Sequence, residues 1–159
     1  MSDQYEIELS KSEVSSRRVE GCCEYSRYGL KEQVTARTGE TGGDVFYINY
    51  PSPGYILAHI EGDDSCIILE KLILYKKVWS PSTDPDGPHV DELVLDEKAR
   101  VGAGEVLEIP GNCECDFEVH GYIKFIAPAT ATPQTSVSAK LIIETEHGKE
   151  KINLLLMII

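Results

Sequence analysis

Between Cys113 and Phe125 the character of the chain changes at every step. Cys113, Cys115, Phe117, Val119, Gly121, Ile123 and Phe125 alternate with Glu114, Asp116, Glu118, His120, Tyr122 and Lys124. A period of two belongs to a β-strand, whose successive side chains point to opposite faces of a sheet. A helix would scatter the apolar set around its surface, so this segment is expected to be a long strand with one face on a core. The same row sets Cys113 and Cys115 among apolar neighbours, where a free thiol behaves as a small hydrophobe. The competing zinc or redox reading would aim both thiolates one way and complete four ligands with His120 or the pair Cys22 and Cys23. The alternation puts His120 on the opposite face, which favours the core reading.

Similar signals recur elsewhere. Tyr5, Ile7 and Leu9 alternate with Glu6 and Glu8, and the aromatic, β-branched run from Asp44 to Tyr50 stops at Pro51. Tyr55 to Ile60 leads into an acidic turn at Glu61, Gly62, Asp63 and Asp64. Cys66 to Trp79 is apolar on both faces apart from Glu70, Lys71, Lys76 and Lys77; a buried strand, a strand pair or a short helix would fit, and its richness in Ile favours strand. After a Pro/Asp loop, Ser80 to Pro88, strands are expected over Val90 to Leu95 and Glu105 to Ile109. A Pro/Thr connector from Ala127 precedes a hairpin of Ala139 to Thr145 and Lys151 to Ile159, with His147 and Gly148 expected at positive φ in its turn. Only Glu20 to Thr38 leaves room for a longer helix, and Gly21 and Gly29 weaken it. The pattern implies one all-β domain over 1–159, an antiparallel β-sandwich with a jelly-roll-like arrangement.

Charge narrows the partners. Asp and Glu number 27 against 15 Lys and Arg, a net charge of −12. Phosphate binding depends on Lys and Arg, so nucleic acid and anionic membrane surfaces are not expected partners. The N-terminal residues from Met1 to Glu8 carry neither a basic start nor an apolar run, and the five cysteines are odd in number. Both features point to reduced thiols in a cytoplasmic setting or a virion rather than to secretion by a signal peptide.

Chemistry is harder to find. Gly104, Glu105, Val106, Leu107, Glu108, Ile109, Pro110 and Gly111, continuing to Cys115, resemble the second motif of the cupins, small jelly-roll barrels. In that family a glycine, five residues and a proline precede a metal-binding histidine, whose place Cys115 takes here. The resemblance implies a metalloenzyme using some of His89, Glu92, Cys115 and His120. The paired histidines of the first cupin motif are absent. Glycine and proline between strands are also plain turn chemistry. Asp84, Asp86, Asp91 and Glu92 offer oxygen ligands for a hard cation, yet lack the register of an EF-hand loop. No nucleophile elbow, P-loop or dinucleotide fingerprint is present, and no cofactor is expected.

The C-terminal run Ile152, Asn153, Leu154, Leu155, Leu156, Met157, Ile158 and Ile159 is apolar on both faces of a strand. One face can pack inward; the other needs a second sheet or a neighbouring subunit. Ile152, Leu154, Leu155, Leu156, Met157, Ile158 and Ile159 are therefore the expected interface. The expectation is a non-enzymatic assembly protein, the subunit of a larger particle such as a viral capsid, decoration or fibre component. Its partners would be copies of itself or other assembly proteins. The alternatives are the cupin-like enzyme and a carbohydrate- or protein-binding module presenting Tyr47, Tyr50, Tyr55 and Trp79.

Overall fold

The computed structural model describes residues 15–17, 25–62, 65–81, 91–111 and 116–159. These form eleven strands: β1 (Ser15–Arg17), β2 (Tyr25–Tyr28), β3 (Gln33–Ala36), β4 (Thr41–Asn49), β5 (Gly54–Gly62), β6 (Ile67–Pro81), β7 (Asp91–Val101), β8 (Val106–Ile109), β9 (Phe117–Ile126), β10 (Thr135–Thr145) and β11 (Gly148–Ile158). The chain is all-β over this range, in two packed sheets. One has the order β1-β2-β4-β9-β6-β7 and the other β3-β11-β10-β5-β8. Every pairing is antiparallel except β3 with β11, so the five-stranded sheet is mixed rather than purely antiparallel as the sequence suggests.

The alternation in β9 carries through to three dimensions. Val119, Gly121, Ile123 and Phe125 face the interior, where they meet Phe46 and Ile48 of β4 and Leu72 and Leu74 of β6. Gly121 is required: a Cβ there would overlap the ring of Phe46, which fills that space. Strand β6 lies between β9 and β7. Its register against β9 shifts between Leu69 and Lys71, where Glu70 is the extra residue, and this lets Leu69, Leu72 and Leu74 all be buried although Leu69 and Leu72 break strict alternation.

The stretch Glu20 to Thr38, the one with room for a longer helix, holds none in its described part. Residues 25–28 and 33–36 are strands, separated near Gly29 at φ 89. A Cβ at Gly29 would sit 2.6 Å from Cδ2 of Tyr47, so packing as well as backbone angle selects glycine. The C-terminal hairpin forms with Thr145 opposite Gly148 and Glu146 and His147 between them. Only Gly148 takes positive φ; His147 is held instead by its N–H donating to Oγ1 of Thr145 at 3.1 Å.

From the five-stranded sheet, Ile152, Leu154, Leu156 and Ile158 each enter the core with no more than 1% exposure, beside Leu141 and Ile143 of β10. An ion pair ties the layers together near one end. Arg27 lies opposite Ile48 and so points inward, and its Nε donates to Oε2 of Glu150 at 2.8 Å. Among the described residues no helix is long and apolar enough to cross a membrane.

Candidate docking flank

Both sheets end on the same side, in β7 and β8, and β6 with β7 also outruns its own sheet. Strand β9 reaches Lys76 as its last partner, and the carbonyl of Asp116 accepts from the N–H of Lys77 at 2.6 Å. Beyond that point, among the described residues, β6 pairs with β7 alone, from Val78 opposite Val94 to Pro81 opposite Asp91. The result is a two-stranded ribbon projecting past the sandwich. Trp79 and Leu93 face each other on one side of it, Leu95 joins them two residues along, and Val78 and Val94 pair on the other side. Trp79 is 65% exposed.

The ribbon is fixed at its root. Lys77 Nζ donates to Oδ1 of Asn49 at 3.2 Å, lies 3.6 Å from Oε1 of Glu118, and sits 4.6 Å from the centre of the Tyr50 ring. Lys76 Nζ lies 3.5 Å from Oδ2 of Asp116 and over the Phe117 ring. Glu118 also takes a short hydrogen bond from Nε2 of His120, and that bond, more than the burial opposing it, holds its carboxyl below the ordinary carboxylate range. His120 is walled by Tyr47, edge-on at 4.7 Å, and Tyr75 at 4.6 Å, while Tyr28 stacks on Tyr47 at 5.1 Å. Burial raises the Tyr28 and Tyr75 phenols.

Below the ribbon, the gap between β7 and β8 opens as a groove of about 830 Å³ whose lining includes Leu74, Ala99, Val101, Val106, Leu107 and Ile109. Gly102 to Glu105 carries the chain from one sheet to the other. There Glu105 Oε1 accepts from the N–H of Gly102 at 2.6 Å, and the N–H of Gly104 donates to the Ala58 carbonyl at 2.8 Å. Of the seven large hydrophobic side chains exposed among the described residues, six lie on this flank: Val78, Trp79, Leu93, Val94, Leu95 and Val106. The seventh is Ile159.

The sequence candidates are dispersed. Asp84, Asp86, His89, Cys22, Cys23, Cys113 and Cys115 lie outside the described residues, as do Tyr5, Ile7 and Leu9. Asp91 opens β7, and Glu92 is exposed on it. His120 meets Glu118, and among the described residues no three His, Cys, Asp or Glu side chains gather as a metal site. The aromatic candidates do not form one platform. Tyr47 and Tyr50 lie near the ribbon root, Trp79 is on the ribbon, and Tyr55 belongs to the other sheet, where its hydroxyl donates to Glu144. In β11, Leu155 and Met157 are half-buried on the outer face and Ile159 is exposed, while the alternate residues fill the core. Sequence reading finds the strand around Leu93, Val94 and Leu95 but not its exposure. The available signal is the apolar triplet bracketed by Asp91 and Glu92 on one side and Asp96 and Glu97 on the other.

No family model and no curated protein matches the chain. Among solved structures it is similar to a family 123 glycoside hydrolase from Clostridium perfringens, with 8% identity and a TM-score of 0.44, over 80% of this chain and 22% of that one. It thus spans about a fifth of that enzyme. It is also similar to a chain of the CaDoc0917–CaCohA2 complex, with 15% identity and a TM-score of 0.40, over 80% of this chain and 95% of that one. A third similarity is to the PapD-like domain 7 of human CEP192, with 9% identity and a TM-score of 0.35, over 90% and 92% of the two chains.

Proposed function

We propose that the chain is a non-enzymatic assembly module, a subunit of a larger particle such as a capsid, decoration or fibre component, that docks through the flank formed by β7, β8 and the ribbon. One observation supports this above the rest: six of the seven exposed large hydrophobics of the described residues lie together on that flank. Single scattered apolar residues are normal on a protein surface, whereas a local concentration of them marks an interaction site; here Trp79, Leu93 and Leu95 share one face of the ribbon and Val78 and Val94 the other. A large exposed aromatic such as Trp79 is the residue type that dominates interface energetics. The jelly-roll-like part of the reading is supported by the chain's passage between layers at β2 to β3, β3 to β4, β4 to β5, β5 to β6, β7 to β8, β8 to β9 and β9 to β10.

A photo-crosslinking residue placed at Trp79 or Leu93, in the cells that make the protein, tests the site. Both positions should yield the same discrete adduct, and a control at Lys124 on β9 should not. Equal, diffuse labelling from all three positions would remove the flank as a docking site.

A further inference from the structure

We propose that the partner seated on this flank is an extended protein segment bearing Lys or Arg around an apolar centre, added as a strand to the free edge of β7. The inference rests on the docking reading and names the chemistry of the occupant. Strand β7 ends its sheet and pairs with β6 alone among the described residues, so its other edge offers backbone N–H and C=O groups to an incoming strand. The apolar centre of that edge is Leu93, Val94 and Leu95. Strand addition would bring an alternating partner's side chains beside both faces of the ribbon, Trp79, Leu93 and Leu95 on one and Val78 and Val94 on the other.

Charge decides between a second copy and a different protein. If two β7 strands met antiparallel with their apolar centres in register about Val94, Glu92 would stand opposite Asp96, and Asp91 opposite Glu97. Like charges directly across a strand pair are destabilising, and each juxtaposition would occur twice. Two molecules of net charge −12 would also repel at long range. A strand with Lys or Arg at those positions turns the same register into opposite-charge pairs. Lys98 and Arg100 already sit on Asp96 and Glu97, both at 2.8 Å, so an incoming Lys or Arg would share those two carboxylates with them. The straight part of the edge ends at Lys98, the extra residue where the pairing steps from Tyr75–Glu97 to Leu74–Ala99. The docking strand therefore spans Asp91 to Glu97.

Three synthetic peptides test this against isotopically labelled protein at low and moderate salt: alternating Val and Thr flanked by lysines, the same core flanked by glutamates, and the lysine peptide with a central proline. The lysine peptide should shift the amides of residues 91–97 and the Trp79 indole, and bind at least tenfold more tightly than the glutamate peptide. Its affinity should fall as salt rises, and the proline version, lacking a ladder donor, should lose most binding. The double variant Glu92→Lys/Asp96→Lys, changed only at exposed positions, should reverse the preference. Equal binding of the lysine and glutamate peptides, shifts away from β7, or dimerisation of the protein alone that Trp79→Ser abolishes would each overturn the proposed occupant. If the peptides fail while crosslinks from Trp79 and Leu93 remain discrete, the docking flank stands and the basic strand does not; if both fail, the flank itself falls.

Discussion

Gly121 shows how much one residue controls. It faces Phe46 across the β4–β9 ladder, and the ring occupies the space a methyl group would need. Gly121→Ala should cost about 1–3 kcal/mol, the usual penalty for overpacking. Phe46→Leu should recover part of that loss in the double variant, a coupling read from urea unfolding of the two single variants and the pair. Glu118 makes the complementary electrostatic case. Its carboxyl is held below its ordinary value of 4.5 chiefly by the bond from His120, so the folded protein takes up this proton less readily than the unfolded chain. The stabilisation is therefore fully present above the ordinary carboxylate range and is lost as pH falls through it and below. The urea midpoint should drop as pH falls through the ordinary carboxylate value of 4.5 and below it, and Glu118→Gln should flatten that dependence; an unchanged slope in the variant would contradict the assignment.

At the scale of elements, β11 separates two roles that a run of apolar letters merges. Leu154 is 1% exposed in the core, whereas Leu155 is half-buried on the outer face between Gln33 and Ser138. Leu154→Asp should cost more than about 4 kcal/mol, because it buries an unpaired charge, and Leu155→Asp about 1 kcal/mol, as measured by thermal or urea unfolding. In the ribbon, Trp79→Ser with Leu93→Ser should leave the unfolding free energy from urea titration within about 0.5 kcal/mol of wild type, since both side chains are exposed. The same double variant should abolish the discrete adduct formed by a crosslinker at Leu95. What was legible in the sequence follows the same division. The period of β9 and the turn of the C-terminal hairpin are local and readable, because pleat and turn chemistry act over a few residues. The split of 25–36 into two strands depends on Gly29 meeting Tyr47, a contact made across the fold. The exposure of Leu93, Val94 and Leu95 follows from where β9 stops, which no residue in β7 encodes.

For the whole molecule, the two layers bury a common core and leave their open flank along β7 and β8. A net charge of −12 makes two copies repel at long range, and the ribbon carries its apolar centre between acidic residues. Both features favour a basic partner over self-association. The most direct measurement is amide hydrogen exchange of the chain alone and with the lysine-flanked peptide added. Slowed exchange confined to Asp91–Glu97 and the facing part of the ribbon is the expected result. Unchanged exchange along β7, with new protection instead at the opposite flank formed by β1 and β3, would contradict it.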